Sequence, residues 1–295
     1  MSAAIGLDIG GTKIAGAAFD ATGHEIVQTM LPTPTSYDGL LETCRTIVAL
    51  LEKECGADAT IGACWPYADA AVNANIPYLI GRDLPADLQK CFTRPVPFGN
   101  DANCAALAEA SEGAGKNYRA VFGLIMGTGV GGGFVYDGQI IVGPNNMSGE
   151  IGHLPLPYYE ESDGPRVQCG CGQTGCIEKL IAGPALARLY LAMTNKEAEG
   201  KHITLLAGQG DADAGRVLDH YYTVVAKAMV AILHSFDPDI ITVSGGLNAL
   251  PGFYEEVPKR WGQYAICKKP ATRLVPAAFG AMAGLRGAAW LGRNG

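Results

Sequence analysis

The sequence predicts an α/β protein made of two related domains. Three observations carry that expectation: an internal repeat at an offset of 117 residues, 40 glycines among 295 residues, and an alternation of strand-like and helix-like segments along the rest of the chain. Ile5-Gly6-Leu7-Asp8-Ile9-Gly10-Gly11-Thr12 lines up with Phe122-Gly123-Leu124-Ile125-Met126-Gly127-Thr128-Gly129, so that Gly6 meets Gly123, Leu7 meets Leu124 and Gly10 meets Gly127. Further along, Gly16 meets Gly133, Phe19 meets Tyr136 and Asp20 meets Asp137. Each copy reads as an apolar strand, a Gly/Thr turn, a small-residue strand, an Asp/Gly turn and a third strand, Glu25-Ile26-Val27 in one and Gln139-Ile140-Ile141-Val142 in the other. A duplicated domain explains this pattern; two similar hairpins of independent origin are the alternative.

The remaining elements follow in order. Tyr37 to Cys55 places Leu40, Leu41, Cys44, Ile47, Val48 and Leu51 on one helical face. Ala102 to Glu109 reads as a helix started by Asn100-Asp101, both good N-cap residues. Asp211 to Phe236 reads as a long, largely apolar helix ended by Asp237-Pro238. Asp239 to Ser244 is a short buried strand closed by Gly245-Gly246. Gly127, Gly129 and Gly132 match G-x-G-x-x-G, with Glu150 18 residues beyond. The dinucleotide fingerprint needs a helix next, and Phe134-Val135-Tyr136-Asp137-Gly138 reads as a strand and a turn, so a nicotinamide site is not expected.

Composition narrows the function. Apolar residues at 48% suffice for a large core, and 22 basic against 29 acidic residues give a net charge of −7, which argues against a nucleic-acid binder. The first residues carry no basic run, and Asp8 interrupts the apolar stretch, so no signal peptide is expected. The longest uncharged run, between Arg119 and Asp137, has 17 residues and six glycines, which is not a membrane span. A cytoplasmic location is expected, where structural disulfides are rare. Of nine cysteines six are scattered and three cluster, which points to metal.

Four groups of residues carry chemistry. His153, Cys169, Cys171 and Cys176 form H-x15-C-x-C-x4-C, enough for a closed tetrahedral zinc site, with free or redox-active thiols as the alternative. Asp8-Ile9-Gly10-Gly11-Thr12-Lys13 caps the first hairpin. Its glycines let backbone approach phosphate oxygens, Thr12 and Lys13 are donors, and Asp8 suits Mg2+ held through water. A tight turn with a solvated lysine is the other reading. Asn100-Asp101 is an N-cap, or also a carboxylate that accepts a substrate hydroxyl proton. Glu150 and Glu178 border the metal motif, as surface acids or as acceptors for sugar hydroxyls.

These stretches, together with Asn100-Asp101-Ala102-Asn103-Cys104, Gly149-Glu150-Ile151-Gly152-His153, Cys169–Glu178, Asp237–Leu247 and Gly287-Ala288-Ala289, resemble the ROK family of sugar kinases and repressors over nearly the whole chain. The resemblance implies an actin-like, ribonuclease H-like duplicated fold with ATP and sugar in a cleft between domains. It implies a smaller domain of residues 1–118 plus 280–295 and a larger one of 119–279 that carries the zinc motif. It implies that Asp101 is the general base for a hexose 6-hydroxyl, and that Asn75, Asn100, Glu150, His153 and Glu178 hold the sugar. Asp8, Gly10, Gly11, Thr12, Lys13, Gly127, Thr128 and Gly129 would serve Mg2+ and the ATP phosphates, and Gly245 and Gly246 would pack near adenosine. His153 would serve both sugar and structural zinc, and a homodimer is expected.

The implied reaction is ATP-dependent phosphorylation, with N-acetyl-D-glucosamine the expected acceptor. The alternatives are another hexose (N-acetylmannosamine, glucose or fructose) and a sugar-binding sensor without turnover. Family repressors carry an added N-terminal helix-turn-helix domain, whereas this sequence starts at the first strand, so the kinase branch is expected. The chain departs from the family pattern at Trp65-Pro66-Tyr67, where the family has Gly after the Pro, and the segment to Asn75 is about five residues shorter than the pattern expects. Trp65 and Tyr67 either stack on a pyranose or fill the space of the shorter loop. Ala281 stands where the family often has Asp.

Overall fold

The computed structural model describes residues 2–66 and 77–294. The chain divides into two compact units, Met1–Lys116 with Gly138–Ser148 and Ala281–Gly295, and Asn117–Asp137 with Gly149–Gly280. Among the described residues, no helix is long and apolar enough to cross a membrane.

The first sheet is built by β1 (Ala4–Ile9), β2 (Lys13–Phe19), β3 (Glu25–Pro32), β4 (Thr60–Trp65) and β5 (Phe98–Asn100) in the order β3-β2-β1-β4-β5. The meander β1-β2-β3 is antiparallel, and β4 and β5 add in parallel. Helix α1 (Tyr37–Cys55) makes the crossover to β4; Ser36 caps it by accepting from the Gly39 N–H at 3.2 Å. Its buried stripe of Leu40, Cys44, Ile47 and Leu51 packs on Ile5, Leu7 and Ile9, which alternate onto one face of β1. Helices α2 (Leu84–Lys90) and α3 (Asp101–Ser111) flank β5.

The second sheet repeats this plan. It comprises β6 (Ala120–Met126), β7 (Val130–Tyr136) and β8 (Gln139–Ile140), then helices α4 (Ile177–Ile181), α5 (Gly183–Thr194), α6 (Gly200–Gly208) and α7 (Ala212–Phe236). Next come β9 (Ile240–Ser244), α8 (Phe253–Tyr264) and β10 (Arg273–Pro276). The order β10-β9-β6-β7-β8 is the first sheet's order with each strand replaced by its repeat counterpart. The expected duplication is therefore present in the topology. The glycine-rich stretch 127–132 runs into β7, not a helix, as its sequence context requires. The expected domain split put Gly138–Ser148 in the second domain; the chain groups it with the first unit, in which β8 packs on α3. Phe122, Leu124 and Met126 of β6 share a core with Tyr221, Val225 and Met229 of α7. Asp211 caps α7 by accepting from the Ala214 N–H at 2.8 Å, and Asp237 ends it with a left-handed φ of 43°.

The two meanders differ in register. Ile9 pairs with Ile14 across a four-residue turn, whereas Met126, the repeat counterpart of Ile9, pairs with Val130 across three. Gly16 therefore lies opposite Leu7, while Gly133 lies opposite Gly123, one position displaced from the alignment of the repeats.

The last helix, α9 (Ala283–Asn294), belongs to the first unit and covers the face of β1 and β4 opposite α1. Glycines permit this. A Cβ on Gly6 would sit 2.0 Å from the Leu285 carbonyl oxygen, and one on Gly62 1.9 Å from that of Ala288. On the other side of the helix, a Cβ on Gly287 would sit 1.8 Å from the Cys104 carbonyl oxygen of α3.

Candidate active site

In the first unit, β1 and α3 bring Asp8 and Asp101 into electrostatic reach of one another. Asp8 is half-buried; burial pushes its carboxyl up to about 6, the Asp101 charge adds to this, and Lys13 pulls the other way. Asp101 is the first residue of α3. Burial raises its carboxyl above the usual range, against the Ala102 N–H, which donates to Oδ1 at 2.7 Å. Asn100 is the N-cap in fact as well as in sequence: its Oδ1 accepts from the N–H groups of Ala102 at 2.9 Å and Asn103 at 3.2 Å. The turn Gly10–Lys13 is closed by Gly10 N–H donating to the Lys13 carbonyl at 3.1 Å, and is held from β3's end by Thr33, whose hydroxyl donates to the Gly10 carbonyl at 2.6 Å. Gly11, Thr12 and Lys13 are exposed there. Two half-buried carboxylates beside a lysine suit a cation and phosphate oxygens. Asn75 and Tyr67 lie outside the described residues, as does most of the Trp65–Asn75 loop.

In the second unit, the Gly149-Glu150-Ile151-Gly152-His153 turn lies flat on β7. A Cβ on Gly149, whose φ is +89°, would meet the Gly132 carbonyl at 2.3 Å, and one on Gly152 would meet that of Val130 at 2.1 Å. The His153 N–H donates to the Glu150 carbonyl at 3.2 Å. The donor atoms of His153, Cys169, Cys171 and Cys176 all lie within 4.8 Å of one another. Cys171 Sγ and Cys176 Sγ are 3.6 Å apart, as are Cys169 Sγ and His153 Nδ1. That is the spacing of ligands around a tetrahedral ion with bonds of about 2.3 Å, far from a disulfide's roughly 2.05 Å. Three thiol sulfurs and an imidazole fit zinc and leave it no open position. Gly172 and Gly175, at φ of 88° and 82°, turn the loop tightly enough to bring the cysteines together.

Glu178 links this loop to the second glycine turn. Its Oε2 accepts from the Val130 N–H at 3.2 Å, while Oε1 lies 3.8 Å from the Cys169 thiol and 2.9 Å from Lys179 Nζ. Burial alone would raise this carboxyl, but the Lys179 and Val130 donors outweigh it and hold it below the usual range. A Cβ on Gly129 would sit 2.8 Å from Glu178 Oε2, so glycine is required there for contact rather than for conformation.

Beside the same turn lies a pocket of about 660 Å3 lined by Gly127, Thr128, Gly183-Pro184 at the start of α5, Glu199, Lys201 and Thr204 around the start of α6, and Gly246, Leu247 and Leu250. Gly127 and Gly183 are tied by an N–H to carbonyl bond of 2.8 Å from Gly183 to Gly127. Gly245, at φ +90°, presses its backbone against Met126, 2.2 Å from a would-be Cβ. A lining of apolar side chains with two hydroxyls, a carboxylate and an ammonium suits a nucleoside with phosphates. Sequence reasoning placed Thr128 and Gly246 at such a site but missed Pro184, Glu199, Lys201 and Thr204. Only Gly183-Pro184, a helix-start signal, was visible in the sequence.

Comparison with known proteins agrees across the whole chain. The ROK family profile matches residues 4–294. An N-acetyl-D-glucosamine kinase of Vibrio parahaemolyticus is 34% identical over 296 residues, covering 97% of this chain and 98% of its own. A ROK hexokinase structure from Thermus thermophilus superposes with a TM-score of 0.84 at 32% identity, covering 98% of this chain and 97% of its own. A ROK family glucokinase from Streptomyces griseus, solved with glucose and AMPPNP, gives 0.74 at 28% identity and covers 100% of both chains. The two five-stranded sheets of like order are the duplicated, actin-like arrangement of these sugar kinases. The chain belongs to the ROK family.

Proposed function

We propose that this protein is an ATP-dependent hexose kinase that phosphorylates the 6-hydroxyl of N-acetyl-D-glucosamine. The full-length likeness to N-acetyl-D-glucosamine kinases supports the substrate. The observation that carries the chemistry is Asp101, a half-buried carboxylate at a helix start with its affinity for protons raised. Such a group accepts a hydroxyl proton more readily than an exposed carboxylate does. Asp101 orients the 6-hydroxyl and takes its proton as the oxygen attacks the γ-phosphorus, the bond from that phosphorus to the β,γ-bridging oxygen breaks and ADP leaves. Asn75, Asn100, Glu150, His153 and Glu178 hold the sugar. Asp8 is placed to hold Mg2+, which when bound would supply positive charge to offset that on the transferred phosphoryl group. The turns at Gly10–Lys13 and Gly127–Gly129 present backbone N–H groups to the phosphates, and the pocket with Gly246 takes the adenosine. His153, Cys169, Cys171 and Cys176 hold zinc, which fixes the loop that ends in Glu178.

The two compact units serve as the two domains of this kinase, which works in the cytoplasm as a homodimer. A second reading, a kinase for glucose or another hexose, is favoured by the Tyr67 departure and by the glucose-bound relative. An ADP-release assay with MgATP and a hexose panel separates the two. N-acetyl-D-glucosamine should give the highest kcat/KM, and Asp101→Asn should lose at least about a hundredfold in kcat while still binding sugar. Near-wild-type turnover in folded Asp101→Asn removes the base from the mechanism, and turnover confined to another sugar replaces the substrate.

A further inference from the structure

The loop from Cys169 to Cys176 buries little of itself. Gly170 to Thr174 are all exposed, and Gly170, Gly172 and Gly175 lower the cost of disorder in its backbone. A loop of this kind is ordered by the ion its ligands gather and loosens without it. It is a two-state element within the second unit.

This element is wired to the second glycine turn. Glu178 lies two residues beyond Cys176, and its Oε1 is 3.8 Å from the Cys169 thiol. Its backbone is fixed from the imidazole side as well: the Ile177 N–H donates to the Leu154 carbonyl, next to His153, at 2.8 Å. From that base Glu178 Oε2 accepts from the Val130 N–H at 3.2 Å, at the exit of the turn Gly127-Thr128-Gly129. The entry of the turn is held by the Gly183 N–H, which donates to the Gly127 carbonyl at 2.8 Å. Both anchors therefore belong to the segment that Cys176 opens, Glu178 in the first turn of α4 and Gly183 two residues past its end. Gly127 and Thr128 in turn line the pocket beside them. Of the two anchors only Glu178 is a side chain, so only it can be removed without rebuilding the backbone.

We infer that Glu178 is a positioning residue through which metal occupancy of the His153, Cys169, Cys171 and Cys176 cluster sets the affinity of the Gly127–Gly129 turn for nucleotide phosphates. The cluster then acts on the nucleotide as well as on the sugar. The inference rests on the proposed function for the ligand of that turn. Such coupling is reciprocal: nucleotide tightens zinc by the same factor by which zinc tightens nucleotide.

Calorimetric titration of the full chain with MgADP, without sugar, tests it on zinc-loaded and zinc-stripped wild type, Glu178→Ala and Glu178→Gln. Stripping should weaken ADP at least about fivefold in wild type. Loaded and stripped Glu178→Ala should bind ADP alike, near the affinity of stripped wild type. Glu178→Gln should keep the difference, because its amide oxygen still accepts from the Val130 N–H. If stripped protein unfolds, the reciprocal is read on loaded, folded protein: saturating ADP should protect zinc from a competing chelator by the same factor in wild type and not in Glu178→Ala. Equal ADP affinity in loaded and stripped wild type, alongside sugar turnover, overturns the inference and leaves the kinase. A loss on stripping that is as large in Glu178→Ala as in wild type also overturns it. A zinc-dependent difference present in wild type, absent in Glu178→Ala, and no turnover with any sugar keep the coupling and overturn the kinase reading.

Discussion

Asp8→Asn should make the protein more stable while destroying its activity. In the folded chain the Asp8 carboxyl is pushed up to about 6 from its usual 3.8, by burial first and the Asp101 charge second. Its proton is therefore held more tightly folded than unfolded, and ionising it opposes folding. The sign follows from linkage: stability is fullest below pH 3.8, where the group is neutral in both states, and falls as pH rises through 6. At 1.36 kcal/mol per tenfold change in proton affinity, the ionised carboxylate costs about 3 kcal/mol at pH 7.5 and about 1 kcal/mol at pH 4.5. Asp8 is half-buried, so screening by water lowers the first figure to about 1–3 kcal/mol. Asparagine keeps the shape and removes the charge. Urea unfolding of apo wild type and Asp8→Asn at both pH values, free of Mg2+ and nucleotide, reads the difference. The variant should gain most at pH 7.5, with the gain shrinking at pH 4.5. A variant no more stable at pH 7.5, or one with the same gain at both pH values, would refute the electrostatic account.

Two further outcomes are expected. Protein purified without chelator should carry about one zinc per chain through the Cys3His cluster, and metal analysis that finds none in folded protein removes the zinc. Gly287→Ala should destabilise by about 3 kcal/mol or more, because the new Cβ would meet the Cys104 carbonyl oxygen at 1.8 Å and one helix must give way; an unfolding midpoint within error of wild type would show that α9 shifts freely.

The duplicated plan was legible because it is written in glycines and apolar alternation: Gly6, Gly10 and Leu7 and their counterparts mark like strands, and the sheet orders agree. The helix start at Asn100 was legible from its cap, and the end of α7 from Asp237-Pro238. The metal cluster was legible from ligand spacing alone, since little else places an imidazole and three thiols that way. The register difference was not, because the repeat alignment records residue types and not turn length. The rim residues Glu199, Lys201 and Thr204 were not, because they meet Thr128 and Gly246 only through the packing of separate helices. Lys227 was hidden for a related reason. It sits 1% exposed within the apolar run of α7, balanced by Asp163 at 2.8 Å from a turn far away in sequence. The Glu178 bond to the Val130 N–H, which joins the metal loop to a glycine turn, has no local signal either.

The placement of α9 sets the order in which the chain is completed. The first unit's sheet is made early in synthesis, yet the backbone of Gly6 and Gly62 stays uncovered until the last helix emerges and docks on it. The ribosome thus finishes the second unit, residues 117–280 in the main, before the first has its full core. A chain cut short by a premature stop near residue 280 would be released with one completed half and one open sheet, with bare glycine backbone where α9 should lie. For such fragments, that exposed face is where recognition by chaperones and proteases would begin.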